Sequence, residues 1–297
     1  MEKILAIDGN SILNRAYYAI PIPRNWVGTC TNGIMGFINI LLKTVQEFAP
    51  TSIAVAFDVH APTFRHQQFA EYKANRRPSP DELRQQFEPL KNLLATMGIQ
   101  TLEKAGYEAD DILGTIAKTC TQNGDECFVM TGDRDCLQLA SQLVKIILVV
   151  TKTGNNTETI YDESTMLEHY GVTPQEFIEV KTLMGDSGDN IPGAANIGEK
   201  TALSLIQQYQ TVANVYNHLD ELKPQKRASL EAFRPQWEQI KSLVTINQNV
   251  PIKFEKTPFA YEQLQTDKVI KALLDLKLIS LANRLKPNNE EQLSWEF

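Results

Sequence analysis

The sequence predicts an α/β protein: a mostly parallel central sheet flanked by helices, then an all-helical C-terminal part. Three observations predict it. Short apolar runs recur at I-L-A-I-D (4–8), S-I-A-V-A-F-D (52–58), I-Q-T-L (99–102), C-F-V-M (127–130) and K-I-I-L-V-V (145–150). Stretches of helical periodicity separate them, and strand–helix–strand order with wholly apolar strands is the pattern of parallel pairing. After about residue 165 the strand signals stop and only helical periodicity remains.

Each element has its own signal. The first strand runs straight into Asp8 and G-N-S, and a Pro- and Gly-rich turn spans 21–32. Residues 33–48 place Ile34, Phe37, Ile38, Leu41, Leu42 and Val45 on one helical face, and Pro50-Thr51 end it. The second strand also ends in an Asp, Asp58. A helix is expected from Asp81, capped by Ser79 or Asp81, through Leu94 to a Gly98 stop. Another is expected over 108–122, a strand over 127–131, a short helix over 134–140, and a hairpin at T-G-N-N-T-E-T-I-Y on the sheet edge. Helices are expected over 174–184, near 211–218, and over 224–246 and 266–283, with an extended connection through Pro251 and Pro258 and a loose polar tail over 288–297.

The chain has 297 residues and a formal net charge of −7, enough length for one large or two modest domains. No apolar run is long enough to span a membrane, and the N-terminus lacks a signal-peptide layout. Cys30, Cys120, Cys127 and Cys136 show no C-x-x-C spacing, which reads as reduced thiols in a cytoplasmic protein. A negative charge argues against a nucleic-acid partner unless the acids gather around cations, which cancel it locally.

The acids do gather in sequence. G-Y-E-A-D-D opens the 108–122 helix, and T-G-D-R-D follows the 127–131 strand. With Asp8, Asp58, Asp186 and Asp189 the candidate carboxylates number nine, the others being Glu108, Asp110, Asp111, Asp133 and Asp135. A lone Asp at a strand end is ordinarily a cap or turn former, and acids in a first helical turn ordinarily answer the dipole. Their joint placement at one edge of a parallel sheet is the edge where ligands bind. No His or Cys lies within these motifs, and all-oxygen donors select Mg²⁺ or Mn²⁺ over Zn²⁺. So large a set suits two ions about 4 Å apart, the arrangement of phosphoryl-transfer nucleases.

Two further segments bear on substrate. Arg65, His66, Lys73, Arg76 and Arg77 are interleaved with Phe64, Phe69 and Tyr72 directly after the Asp58 strand. Such a mixture suits a single-stranded or frayed phosphate backbone overhanging the acids. Around 185–202, Gly193 and Ile197-Gly198 suggest a tight turn between two helices, with Lys200 at the second helix start. Its amides suit a phosphate held without base reading. G-D-S-G-D resembles a trypsin-like nucleophile loop, but Asp189 stands where a glycine is needed and no disulfide pattern exists.

Taken in order, A-I-D-G-N-S with Arg15, A-F-D with T-F-R-H and E-Y-K-A-N-R, G-Y-E-A-D-D, T-G-D-R-D, and L-M-G-D-S-G-D-N-I-P-G with I-G-E-K-T-A resemble the 5′→3′ exonuclease domain of bacterial DNA polymerase I, of the flap endonuclease family, over residues 3 to 285. The resemblance implies a PIN-like nuclease core over 1–165 with a basic arch over 60–80. It implies a helical DNA-binding subdomain over 166–287 whose helix–hairpin–helix (helix–three-turn–helix) lies within 185–205. It implies that Asp8, Asp58, Glu108 and Asp110 surround a first metal and Asp133, Asp135 and Asp186 a second, with Asp111 and Asp189 acting at longer range. Arg15, Tyr72, Lys73 and Arg76 match positions that grip the 5′ end and scissile phosphate. Arg65 and Arg77, and Gly193, Ile197, Gly198, Lys200 and Thr201 of the hairpin, match DNA contacts, with a K⁺ ion often at the hairpin. Asn196 replaces a usual glycine there, and Asn tolerates the left-handed conformation.

The implied activity is two-metal hydrolysis of DNA or RNA-primer phosphodiesters at 5′ flaps and frayed ends, by a monomer serving replication and repair beside a DNA polymerase. A DNA-junction binding module without cleavage is one rival. A small ribonuclease of related acidic α/β type is another, and it needs neither the hairpin nor the basic overhang.

Overall fold

The computed structural model describes residues 1–21, 30–152 and 155–286. Its centre is a six-stranded sheet in the order β3-β2-β1-β4-β5-β6. The strands are β1 (Lys3–Asp8), β2 (Ser52–Ala56), β3 (Gln100–Leu102), β4 (Glu126–Thr131), β5 (Val144–Lys152) and β6 (Asn155–Tyr161). β1 to β5 pair in parallel, and β6 returns antiparallel at the edge. Parallel strands must be covered on both faces, and two apolar clusters do so. One includes Ile4, Ala6, Val129 and Ile112; the other includes Leu5, Ile7, Met130 and Leu41.

The helices are α1 (Gly9–Ala19), α2 (Asn32–Phe48), α3 (Phe64–Gln68), α4 (Asp81–Arg84), α5 (Phe87–Thr96), α6 (Ala109–Asn123), α7 (Glu163–Tyr170), α8 (Pro174–Met184), α9 (Glu199–Tyr209), α10 (Val212–Asn217), α11 (Pro224–Phe233), α12 (Trp237–Val244), α13 (Asp267–Asp275) and α14 (Ile279–Leu285). Residues 134–139 form a 3₁₀-helix. The strand order makes β1 the turning point: β2 and β3 lie on one side, and the chain then returns by α6 to place β4 on the other. Ligands of such sheets sit outside the carboxyl ends at that point, which is where Asp8 and Asp133 stand.

Three expected helices are broken. The stretch from Asp81 forms α4 and α5 because Pro89 has no N–H for a continuous helix. The buried Gln86 at the break accepts from Ile34 N at 3.1 Å and donates to Asn32 Oδ1 at 3.0 Å, fixing the start of α2. Pro80, not Ser79 or Asp81, stands at the α4 cap. Pro235 separates α11 from α12 in the same way. Lys277, at φ 59°, separates α13 from α14, and no sequence signal marks it. Most of the expected turn over 21–32, the tip of the hairpin before β6, and the tail over 288–297 lie outside the described residues.

One interior ion pair ties the helical part to the sheet. Arg65 is 3% exposed and Asp111 fully buried. The guanidinium meets both carboxylate oxygens at 2.8 Å. It also donates to Leu243 O at 2.8 Å and Thr245 O at 3.1 Å, while Asp111 accepts from Asn247 N at 2.8 Å. The expected role of Arg65 as a DNA contact is therefore corrected, because every nitrogen of the group is spent inside the protein. Asp111 has its oxygens held by Arg65 and by the backbone amides of Glu108 and Asn247.

Removing one partner of a buried pair strands the other charge. Arg65→Ala is expected to cost about 3–5 kcal/mol in urea unfolding, whereas Arg65→Met with Asp111→Leu recovers most of it. A single variant within about 1 kcal/mol of the parent would contradict the buried pairing. Gly185 (φ 70°) is also constrained: a Cβ there would meet Gly193 N at 2.4 Å and Ile191 O at 2.5 Å. Gly185→Ala is expected to lower thermal stability by more than the roughly 1 kcal/mol of an ordinary glycine replacement.

Candidate metal centre and nucleic-acid interface

The acids arrive on separate elements but at one edge. Asp8 ends β1 and caps α1, accepting from Ser11 N at 2.8 Å and from Thr131 Oγ1 at 2.8 Å. Asp58 follows β2 and accepts from Ala109 N at 2.8 Å, the first amide of α6. Glu108 caps α6, and Asp110 lies in its first turn. Asp133 follows β4 and accepts from Asp135 N at 2.9 Å.

The expected single pocket is two adjoining cavities. One, of about 490 Å³, is lined by Asp8, Asp58, Glu108, Asp110 and Asp133, together with Arg15, Lys73 and Arg76. The other is lined by Asp133, Asp135, Asp186 and Asp189, together with Arg15, Arg76 and Lys181. Asp133 belongs to both. Among the described residues no three metal-binding side chains already form a closed coordination group; several acids are held by basic partners instead.

Electrostatics show what the site lacks without cations. Burial, with Asp58 and Asp133 nearby, pushes Asp8 up to about 7. Burial and Asp133 push Asp135 up to about 7 against the opposing pull of Lys181. Burial and Asp8 push Asp110 well above the carboxylate range, and Cys136 Sγ donates to it at 3.3 Å. Glu108 goes the other way: burial opposes its charge, but Lys73 and Arg65 bring it below the usual value. A recessed, all-oxygen cluster of mutually repelling acids fits hard divalent cations.

The basic residues divide. Lys73 (φ 58°) bonds Glu108 and lies 3.7 Å from Asp189, and Arg76 bonds Asp189. Both line the first cavity. Arg15 bonds Gly132 O, and its Nε is buried without a partner among the described residues. A Cβ at Gly132 would sit 1.6 Å from that Nε, so only glycine lets the guanidinium cross. Tyr72 is 3% exposed and places its hydroxyl 2.8 Å from Glu108 and 2.9 Å from Asp189. Its hydroxyl thus bridges these two acids. Arg77 is exposed beyond the cavities.

Lys181 went unnoticed in the sequence. It is 6% exposed, 2.6 Å from Asp135, and bonded to Asp186. Burial opposes its charge, yet the two acids raise its pKa. Its position five residues before Asp186, on the helix leading to the acid loop, was the available signal.

The expected hairpin joins α8 to α9. Asp186 and Ile191 exchange backbone bonds of 2.9 and 2.7 Å. Asn196 is left-handed (φ 60°) in place of glycine. Gly193 packs against Met184 and Gly185 backbone, and Ile197 is buried. Gly198 and Lys200 are exposed at the start of α9, where no side chain caps the first amides, and Thr201 is half-buried.

Residues 3–171 match the family described as 5′-3′ exonuclease, N-terminal resolvase-like domain. Residues 172–267 match 5′-3′ exonuclease, C-terminal SAM fold. A 5′-3′ exonuclease of Bacillus subtilis is 38% identical over 255 residues, 84% of this chain and 85% of that one. DNA polymerase I of the same organism is 38% identical over 98% of this chain, which spans only 33% of the polymerase. A structure described as T5 5′-exonuclease with bound divalent metal ions (zinc) matches with TM-score 0.66 at 22% identity, over 95% of this chain and 96% of that one, a likeness of fold. With both halves matched in order and a similar relative covered over most of its length, the chain belongs to the 5′-3′ exonuclease family.

Proposed function

We propose that this member of the 5′-3′ exonuclease family is structure-selective, hydrolysing phosphodiesters at 5′ flaps and frayed 5′ ends of DNA or of RNA primers on DNA. The observation that carries this reading is the pair of acid-lined cavities that share Asp133 and are walled by Arg15, Lys73 and Arg76. Asp8, Asp58, Glu108, Asp110 and Asp133 would hold one cation, and Asp133, Asp135 and Asp186 the other, with Asp189 behind them. Bound Mg²⁺ or Mn²⁺ supplies Lewis-acid charge and acidifies water.

The chain's own residues do the rest. Arg15, whose guanidinium borders both cavities, donates to a phosphate oxygen. Lys73 and Arg76 answer charge developing on the phosphate. Tyr72 and Arg65 keep Glu108 aimed into the cavity. The uncapped amides of α9, with Gly198 and Lys200, grip duplex backbone without reading bases, and K⁺ is the monovalent ion suited to that turn. A DNA polymerase, in the same or another chain, is the partner whose products need this step.

Incubating a 5′-flap duplex with Mg²⁺ tests the reading. Cleavage near the junction is expected to vanish with EDTA and to fall by at least about a hundredfold in Asp133→Ala. Tight binding with no product under any divalent ion would instead favour a junction-binding module. Lys73→Ala is expected to lower turnover more than duplex affinity, and an unchanged turnover rate removes its role at the phosphate.

A pH dependence follows from Asp8 and Asp135. Both have folded values near 7 against an unfolded value of 3.8, so the folded state holds more protons between those limits. Metal-free protein should therefore lose stability as pH rises through that window, by up to about 1.4 kcal/mol per pH unit per group. Cations bind the deprotonated acids. The melting-temperature gain from Mg²⁺ should grow from pH 5.5 to pH 8, and a gain independent of pH would place the ions elsewhere.

A further inference from the structure

The ionic groups of the first cavity account for cations and a phosphate, but not for the aromatic rings in its wall. Tyr18 and Phe87 both line it. Tyr18 is 62% exposed, and of the large apolar side chains left exposed among the described residues it alone borders the acids. It continues one face of α1: Ser11, Asn14, Arg15 and Tyr18 recur at helical spacing, and all four line the cavity. Tyr18 stands three positions beyond Arg15, about 4.5 Å along the axis, within one nucleotide of a phosphate on that guanidinium.

The ring is held ready. Tyr17 packs against it in a T-shaped pair, with centroids 5.1 Å apart and planes at 85°, while most of the Tyr18 side chain stays exposed. The end of α1 is fixed because Asn32 Nδ2 donates to Tyr17 O at 3.0 Å and to Ile20 O at 2.8 Å. A platform so anchored loses little entropy on binding. An exposed tyrosine ring beside a phosphate site is matched in nucleic acid by the flat face of a base.

We propose that Tyr18 is a stacking platform for the nucleobase next to the scissile phosphate, biasing the enzyme toward strands whose end base is unpaired and free to leave the duplex. This rests on the nuclease reading above. Stacking tolerates every base, so it selects for fraying and not for sequence.

The test is a kinetic cycle on a 5′-flap duplex carrying an abasic site at each nucleotide flanking the cleaved bond in turn. Tyr18→Ala is expected to lower kcat/KM about tenfold, chiefly through KM, with Tyr18→Phe within about twofold of the parent. At one of the two positions the abasic site should cost the parent the same factor and cost Tyr18→Ala nothing further. Losses that multiply in full at both positions, or a Tyr18→Ala enzyme equal to the parent, overturn the platform. A second readout is independent of cleavage: 2-aminopurine at the same positions, bound with Ca²⁺, should be quenched by the parent and by Tyr18→Phe but not by Tyr18→Ala. Equal quenching in all three overturns the proposal. A flap bound and quenched through Tyr18 yet never cleaved in Mg²⁺ keeps the platform and overturns the nuclease reading.

Discussion

The structure is governed by like charge gathered in a recess. Carboxylates from β1, β2, β4, α6 and the loop after α8 are brought to one rim of a parallel sheet, where burial and nearby acids penalise the ionisation of Asp8, Asp110 and Asp135, while basic partners hold Glu108 and Asp186 charged. The protein carries part of the neutralising charge itself. Lys73, Arg76 and Lys181 lean on Glu108, Asp189, Asp135 and Asp186. What remains uncompensated lies around Asp8, Asp110 and Asp133, and divalent cations are suited to that remainder. The strong net negative charge of the chain and a polyanionic substrate are reconciled at this rim, since bound cations reverse the local sign.

Much of this was legible in the residues. The parallel sheet followed from apolar strands separated by periodic helices, and three of those strands run directly into Asp8, Asp58 and the D-R-D pair. Asn196 was expected to hold a left-handed turn, and does. What could not be read was which polar side chains turn inward. Arg65 looked like its neighbours Lys73 and Arg76, because charge and spacing do not reveal that a carboxylate 46 residues away and the end of α12 will enclose it. Tyr72 did not show its contacts for the same reason, and Lys181 did not because only one of its two partners, Asp186, lies nearby in sequence while Asp135 comes from the far side of the sheet edge. Helix breaks at Pro89 and Pro235 were present in the sequence, and apolar periodicity on either side concealed them.

The acidic edge also shows why a division of labour along the chain need not be a division of structure. The sheet supplies strand ends, which are rigid and well suited to aiming short side chains such as Asp. The helical part supplies amides at the start of α9 and the loop carrying Asp186 and Asp189. The second cavity exists only where these two contributions face one another.

The Arg65–Asp111 pair carries that interdependence into the helix that bears the active acids. Besides Glu108 it is held by Leu243, Thr245 and Asn247, more than a hundred residues downstream. A shortened protein ending after β6 would keep the whole sheet, yet it would expose a guanidinium and a carboxylate evolved for an interior and let the start of α6 tilt. The sheet is thus no self-sufficient module, and anyone trimming this nuclease to a minimal catalytic fragment should find that the indispensable residues run on past position 250 into α13 and α14, whose Val269, Leu273, Leu281 and Leu285 complete the core around Leu5 and Ile7.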